Sequence, residues 1–232
     1  VWLDKEVDIS NWTKETKLEY KFKIGVNTEN TSNHRITFDT DGGEMDTFSK
    51  TVTFGNNYGE LPIPTKEGYT FKGWNGKNLL NVDAMLTSDA LIKNDDGSYT
   101  LSSHEPVGNR FSNDMRLFLE KNTNIVLSYN LLDYSGNYAF PLQVSIVFED
   151  DTISTLGISR NSSYTSSVFN KKIKFIKLYQ EGAQPIGTFT QFEKLQLEKG
   201  TVPSKYEPYF ITSTTPVTIN SDHVLKAIWK KI

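Results

Sequence analysis

Apolar and polar residues alternate with a period of two along most of this chain, which predicts strands with one buried and one wet face. The first run sets Leu18, Tyr20, Phe22 and Ile24 against Lys17, Glu19, Lys21 and Lys23. A polar tract, Asn27 to Asn33, follows it. Ile36 and Phe38 open the next strand, and Asp41-Gly42-Gly43 stops it, because glycine accepts the positive φ of a tight turn. Val52 and Phe54 carry another, stopped by Gly55-Asn56-Asn57. Pro62 and Pro64 hold an extended segment that cannot donate to a ladder at those positions. Tyr69 and Phe71 share a face, as do Leu225, Ala227 and Trp229 in the last strand. Trp74 and Trp229 each end a strand and are expected in a core rather than on a ligand platform.

The middle of the chain repeats the pattern. Ile125, Leu127, Tyr129 and Leu131 alternate with Val126, Ser128 and Asn130, and Val144, Ile146 and Phe148 with Ser145 and Val147. Ile173, Phe175 and Tyr179 are expected on one side, with Lys172 and Lys174 on the other. Leu195 and Leu197 alternate with Lys194, Gln196 and Glu198. Turn signals separate the runs at Asp95-Asp96-Gly97, Ser135-Gly136-Asn137, Glu149-Asp150-Asp151 and Glu181-Gly182. Short strands at such spacing predict a β-sandwich. Val82 to Leu91 is expected to form a short helix, and no other segment holds a helical period.

Two segments far apart carry halves of one repeat. The first runs from Ile36-Thr37-Phe38-Asp39-Thr40-Asp41-Gly42-Gly43 through Lys50–Gly55 and Tyr58–Pro64 to Gly68-Tyr69-Thr70-Phe71-Lys72-Gly73-Trp74. The second is Thr214–Asn220 followed by Val224-Leu225-Lys226-Ala227-Ile228-Trp229. Joined, they resemble the Listeria–Bacteroides repeat, the internalin B-repeat family of bacterial surface proteins. The resemblance implies a small β-grasp-like unit, often in tandem. The ends of the intervening stretch, Asn78-Leu79-Leu80 and Gln196-Leu197-Glu198-Lys199-Gly200 with Tyr206-Glu207-Pro208-Tyr209, resemble jelly-roll modules of phage tails and carbohydrate-binding-like surface domains. The chain is therefore expected to be all-β. Residues 1–34 are expected as a lead-in strand and linker, 35–75 plus 209–232 as a discontinuous repeat module, and 76–208 as an inserted jelly-roll sandwich. Loop-closure cost grows only logarithmically with length, so such an insertion is cheap when its ends lie close together. The lead-in strand either completes a preceding domain or adds to the repeat's sheet.

Composition narrows the functional classes. With 25 Lys plus Arg and 28 Asp plus Glu among 232 residues, the net charge is −3 and there is no basic footprint for nucleic acid. No run approaches the roughly 18 apolar residues of a membrane span. The chain has no cysteine, so it has no disulfide and no thiolate metal site. It begins at Val1 rather than Met, which leads us to expect a fragment of a longer protein.

Candidate chemistry is sparse. His34, His104 and His223 are scattered singly, and Gly157-Ile158-Ser159-Arg160-Asn161 lacks the second glycine of a nucleophile elbow. Glu193 and Glu198, five apart, are expected to face opposite ways, which argues against a paired-carboxylate glycosidase. Asp95, Asp96, Asp150 and Asp151 are candidate ligands for a structural calcium ion, although both acidic runs also serve as turns without metal. Tyr134, Asn137 and Tyr138, at a loop on the sandwich rim, are candidate ligand contacts. Tyr206 and Tyr209 are expected to pin the exit of the insert. These features point to a non-enzymatic extracellular binding or adhesion module of a bacterial cell surface, with a glycan or surface protein as partner. The alternative is a structural spacer or phage-tail component, and a glycan-acting enzyme is a third option.

Overall fold

Strands form wherever the alternating pattern ran through the residues described in this computed structural model: 32–87, 89–102, 110–117, 119–136, 139–180 and 185–232. The run expected at Leu18–Ile24 lies outside them. In chain order the strands are β1 (Asn33–Asp39), β2 (Ser49–Thr53), β3 (Tyr69–Asn75), β4 (Leu91–Lys93), β5 (Tyr99–Ser102), β6 (Arg110–Phe111) and β7 (Asn124–Tyr134). They continue with β8 (Leu142–Phe148), β9 (Ile153–Ile158), β10 (Tyr164–Val168), β11 (Ile173–Gln180), β12 (Phe189–Lys199), β13 (Phe210–Ile211) and β14 (His223–Lys231). The fold is all-β.

The helix expected at Val82–Leu91 shrinks to one 3-10 turn, Val82–Met85, capped by the Asn81 side chain accepting from the Ala84 amide. Leu86 turns to extended geometry, Thr87 Oγ1 accepts from the amides of Ala90 and Leu91, and Leu91 begins a strand. A hydroxyl offering the backbone a local alternative to the helical ladder explains the early stop.

One five-stranded sheet has the order β13-β3-β14-β1-β2, so strands from both ends of the described chain share it. β1 and β14 run parallel, with Phe38 opposite Leu225. Ile36, Phe38, Val52, Tyr58, Trp74, Leu225 and Ala227 bury one face together. Trp74 stands opposite Ala227 and is only 2% exposed; its indole donates to the Pro62 carbonyl at 2.7 Å. Trp229 is half-buried against Phe71 and donates to the Thr40 carbonyl. Both rings thus pack, as expected. Two further sheets, β10-β7-β12-β5-β4 and β6-β11-β8-β9, enclose a second core that includes Leu101, Leu127, Ile146, Ile176, Phe192 and Leu197. Each such side chain contributes roughly 1.5–3 kcal/mol on burial.

Register shifts interrupt the period of two in β3, β11 and β12 and change which side chains share a face. In β3 the register against β14 shifts so that Ile228 meets Gly73 while Trp229 meets Phe71. Phe71 and Trp74, three residues apart, therefore enter the same core. Gly73 sits at φ +144°, and a Cβ there would lie 2.8 Å from a Phe210 ring carbon, so only glycine fits. In β11 the shift falls between Ile173 and Phe175. Ile173 packs in the sandwich core, whereas Phe175 and Tyr179 turn to the opposite face, where Tyr179 donates to Gln143; the expectation that all three share a side is corrected. In β12 one shift falls between Gln191 and Phe192 and a second between Glu193 and Gln196. Glu193, Gln196 and Glu198 then pair with Asn130, Ser128 and Val126, so Glu193 and Glu198 share a face instead of opposing each other.

Between the two cores lies a dense polar seam. Asn78 uses its whole amide: Nδ2 donates to the carbonyls of Leu195 and Glu207, and Oδ1 accepts from the amides of Leu80 and Leu197. Asn75 donates to the carbonyls of Asn78 and Tyr209. Glu207 is 0% exposed. Its carboxylate accepts from the Lys77 amide at 2.8 Å and, more distantly, from Tyr58 Oη and Thr218 Oγ1 at 3.4 Å. Its own amide donates to Gln196, whose side chain donates to Glu198; Glu198 in turn accepts both the amide and the hydroxyl of Ser204. Tyr58 Oη also lies 2.8 Å from His223 Nε2, while His223 Nδ1 lies 2.8 Å from the Ser221 carbonyl. A carbonyl only accepts, so His223 Nδ1 carries a proton in that contact. Burial, with the nearby Glu207 charge, holds the Tyr58 phenol far above its usual range. Lys77 Nζ is buried with no hydrogen-bond partner among the described residues, and burial lowers its pKa against the opposing pull of Glu207 and Glu198.

Gly76 is the backbone that makes room for Glu207, since a Cβ there would come within 2.2 Å of Oε2. Gly76→Ala should therefore destabilise the protein by about 1–3 kcal/mol, the cost of leaving a buried polar group unpaired. Denaturant unfolding measures this. An unchanged midpoint would mean that Glu207 relaxes without losing its partners.

Candidate binding cleft beside the bulged strand

The β12 bulge places Lys194 at φ +51°, a region that non-glycine residues rarely occupy. Strain of that kind concentrates where a side chain is aimed for a purpose. Glu193 and Lys194 open onto a cleft of about 410 Å3, within the roughly 300–1,000 Å3 of ligand pockets. The turn at Asn81–Asp83, β4, the β4–β5 turn and Tyr99 form one side. The returning segment Tyr206, Pro208, Tyr209 and Phe210 forms the other.

Three carboxylates border the cleft. Asp83 accepts from Lys93 Nζ through both oxygens, at 2.9 and 3.0 Å, and from Tyr99 Oη at 2.7 Å. Asp96 accepts from the amide and hydroxyl of Ser98, which hold its pKa below the usual carboxylate range. Glu193 accepts from Asn130 and then Lys194, which lower its pKa as well. The last two are therefore ionised rather than poised to donate a proton, unlike the acid of a glycosidase. The Tyr99, Tyr206 and Tyr209 phenols are all pushed up by burial, with Asp83 adding to the shift at Tyr99 and at Tyr206. Tyr206 stays 37% exposed, and the Tyr209 and Phe210 rings meet edge to face at 4.9 Å.

The residues singled out from sequence are dispersed. Tyr134 ends β7, half-buried, opposite Thr190. The cleft residues of β12 lie three to five positions further along, roughly 10–17 Å away by strand rise. Asn137 and Tyr138 lie outside the described residues. Asp95 and Asp96 occupy the β4–β5 turn, and Asp96 alone of the described candidate residues borders the cleft. Asp150 and Asp151 occupy the β8–β9 turn of the other sandwich sheet, paired with Lys171 at 2.7 Å and Lys174 at 2.6 Å. Among the described residues, no three His, Cys, Asp or Glu side chains gather into a metal-holding group. Sequence reasoning missed Asp83, Tyr99 and Glu193 as cleft residues; only the strand-end position of the Asp95-Asp96-Gly97 turn hinted at the place. It read Tyr206 as a pin, whereas Glu207 beside it does the pinning.

Residues 34–96 match the Listeria-Bacteroides repeat domain. The matched range takes in β1 to β3 and continues into β4 and the turn after it. No curated protein matches this chain. The repeat family is found in bacterial surface proteins. Among the described residues, no helix is long and apolar enough to cross a membrane.

The Asp150 pair gives a pH test away from the cleft. Hydrogen bonds from Lys171 and then Thr152 lower the Asp150 pKa from 3.8 to about 2. A depressed folded-state pKa adds stability above the unfolded value, and that stability is lost as pH falls through the folded value. Thermal unfolding should therefore fall more steeply between pH 4 and 2 in the parent than in Asp150→Asn.

Proposed function

We propose that this chain is a non-enzymatic recognition module of a bacterial surface protein, in which the cleft beside the β12 bulge binds a glycan. The observation that carries this reading is the cleft itself. It is concave and ring-sized, with an exposed Tyr206, flanking Tyr209 and Phe210 rings, and a polar border of Asp83, Asp96 and Glu193. An apolar sugar face fits a flat aromatic ring, and hydroxyls suit carboxylate acceptors. A protein partner ordinarily needs a broader patch of about 800 Å2 per side. The match of residues 34–96 to a surface-protein repeat supports an extracellular setting. The ionised Asp96 and Glu193, which lack the raised pKa of a general acid, support binding without catalysis. The five-stranded sheet then acts as the mounting unit, and the two facing sheets display the cleft. Repetition along a stalk would amplify a weak single-site affinity.

A glycan array probed with the whole chain, followed by titration of a bound saccharide, tests this. Tyr206→Ala should weaken binding by at least about tenfold, or roughly 1.4 kcal/mol, while leaving the unfolding midpoint near that of the parent. An array without any bound saccharide, or binding indifferent to Tyr206→Ala, would count against the cleft and favour a purely structural spacer.

A further inference from the structure

Resting on the reading of this cleft as a glycan site, the hydrogen-bond donors and acceptors along its border narrow the ligand. The cationic donors at the cleft are already engaged inside the protein. Lys93 Nζ donates to both oxygens of Asp83, and Lys194 Nζ to Glu193 Oε1 at 2.9 Å. Tyr99 Oη donates to Asp83 as well. Asp96 takes its contacts from Ser98 through Oδ1, and Glu193 takes those of Asn130 and Lys194 through Oε1. Each carboxylate oxygen has two lone-pair sites, so acceptor capacity remains after the internal bonds are made. Three carboxylates face two ammonium groups, and the local balance is one negative charge.

We infer that the cleft selects an uncharged or amine-bearing pyranose ring, which donates hydroxyl protons to Asp96 and Glu193 while its apolar face lies on Tyr206, and that it rejects acidic sugars. A carboxylated ring brought here would meet a border of net negative charge whose two described ammonium groups, Lys93 and Lys194, are each already paired to a carboxylate. Acidic polymers therefore lie outside its range, even though lysines stand at the rim. The selectivity is electrostatic and partly exposed, so salt should weaken it.

Saturation-transfer NMR on the whole chain tests this with three matched probes of each ring configuration: the methyl pyranoside, the 2-amino sugar and the uronate. The neutral and amino forms should bind, and the uronate at least about tenfold more weakly at low ionic strength. Glu193→Gln keeps the acceptor oxygen and removes the charge, so it should bring neutral and acidic forms within a few-fold of each other. A uronate that binds as well as its neutral counterpart, with both lost in Tyr206→Ala, would overturn the selectivity while leaving the glycan site standing. If no probe of any charge binds, and the array is also blank, the functional reading itself fails.

Discussion

A buried carboxylate governs how this protein is joined. Glu207 is fully covered, and a bare carboxylate in such a place is prohibitively costly unless donors surround it. The donors come from places remote in sequence: the Lys77 amide at the start of the sandwich, Tyr58 from the loop after β2, and Thr218 from the segment before β14. The buried Gln196 and Glu198 side chains extend the same logic into β12, and Asn78 ties the opening of the sandwich to its last strand. The seam thus acts as a lock between the two cores.

The cleft inherits its geometry from that lock. One wall belongs to the sandwich, but the other is the run Tyr206 to Phe210, which begins at the residue before Glu207 and ends in β13. Phe210 is wedged over Gly73, and the Tyr209 carbonyl is held by Asn75. The aromatic wall is fixed by contacts whose purpose is to join two cores. The bulge in β12 completes the arrangement by turning Glu193 and Lys194 outward while returning Leu195 to the core. Pre-organised walls of this kind reduce the ordering cost of binding.

Much of this architecture was legible in the residues. The period of two identified Ile125, Leu127 and Tyr129, Val144 and Ile146, and Leu195 and Leu197 as inward-facing, and the structure buries all of them. It failed where a strand takes in an extra residue, because a bulge leaves no compositional trace unless it uses glycine. Gly73 was such a trace; Lys194 was not. The cleft was harder still. Asp83, Tyr99, Glu193 and Tyr206 come from four separate segments, and no spacing rule links them. Nothing in the Tyr-Glu-Pro-Tyr string marked Glu207 as buried, since burial of a charge depends on partners that local sequence does not display.

The parallel pairing of β1 with β14 has a mechanical meaning. A pull on Asn33 against a pull on Lys231 draws the two adjacent strands past each other lengthwise. The load then falls on the whole ladder from Ile36 to Asp39 at once, rather than on one bond after another. The sandwich hangs from β3 and β13, to one side of that line of force. Tension applied between those two strands is therefore carried beside the cleft rather than through it.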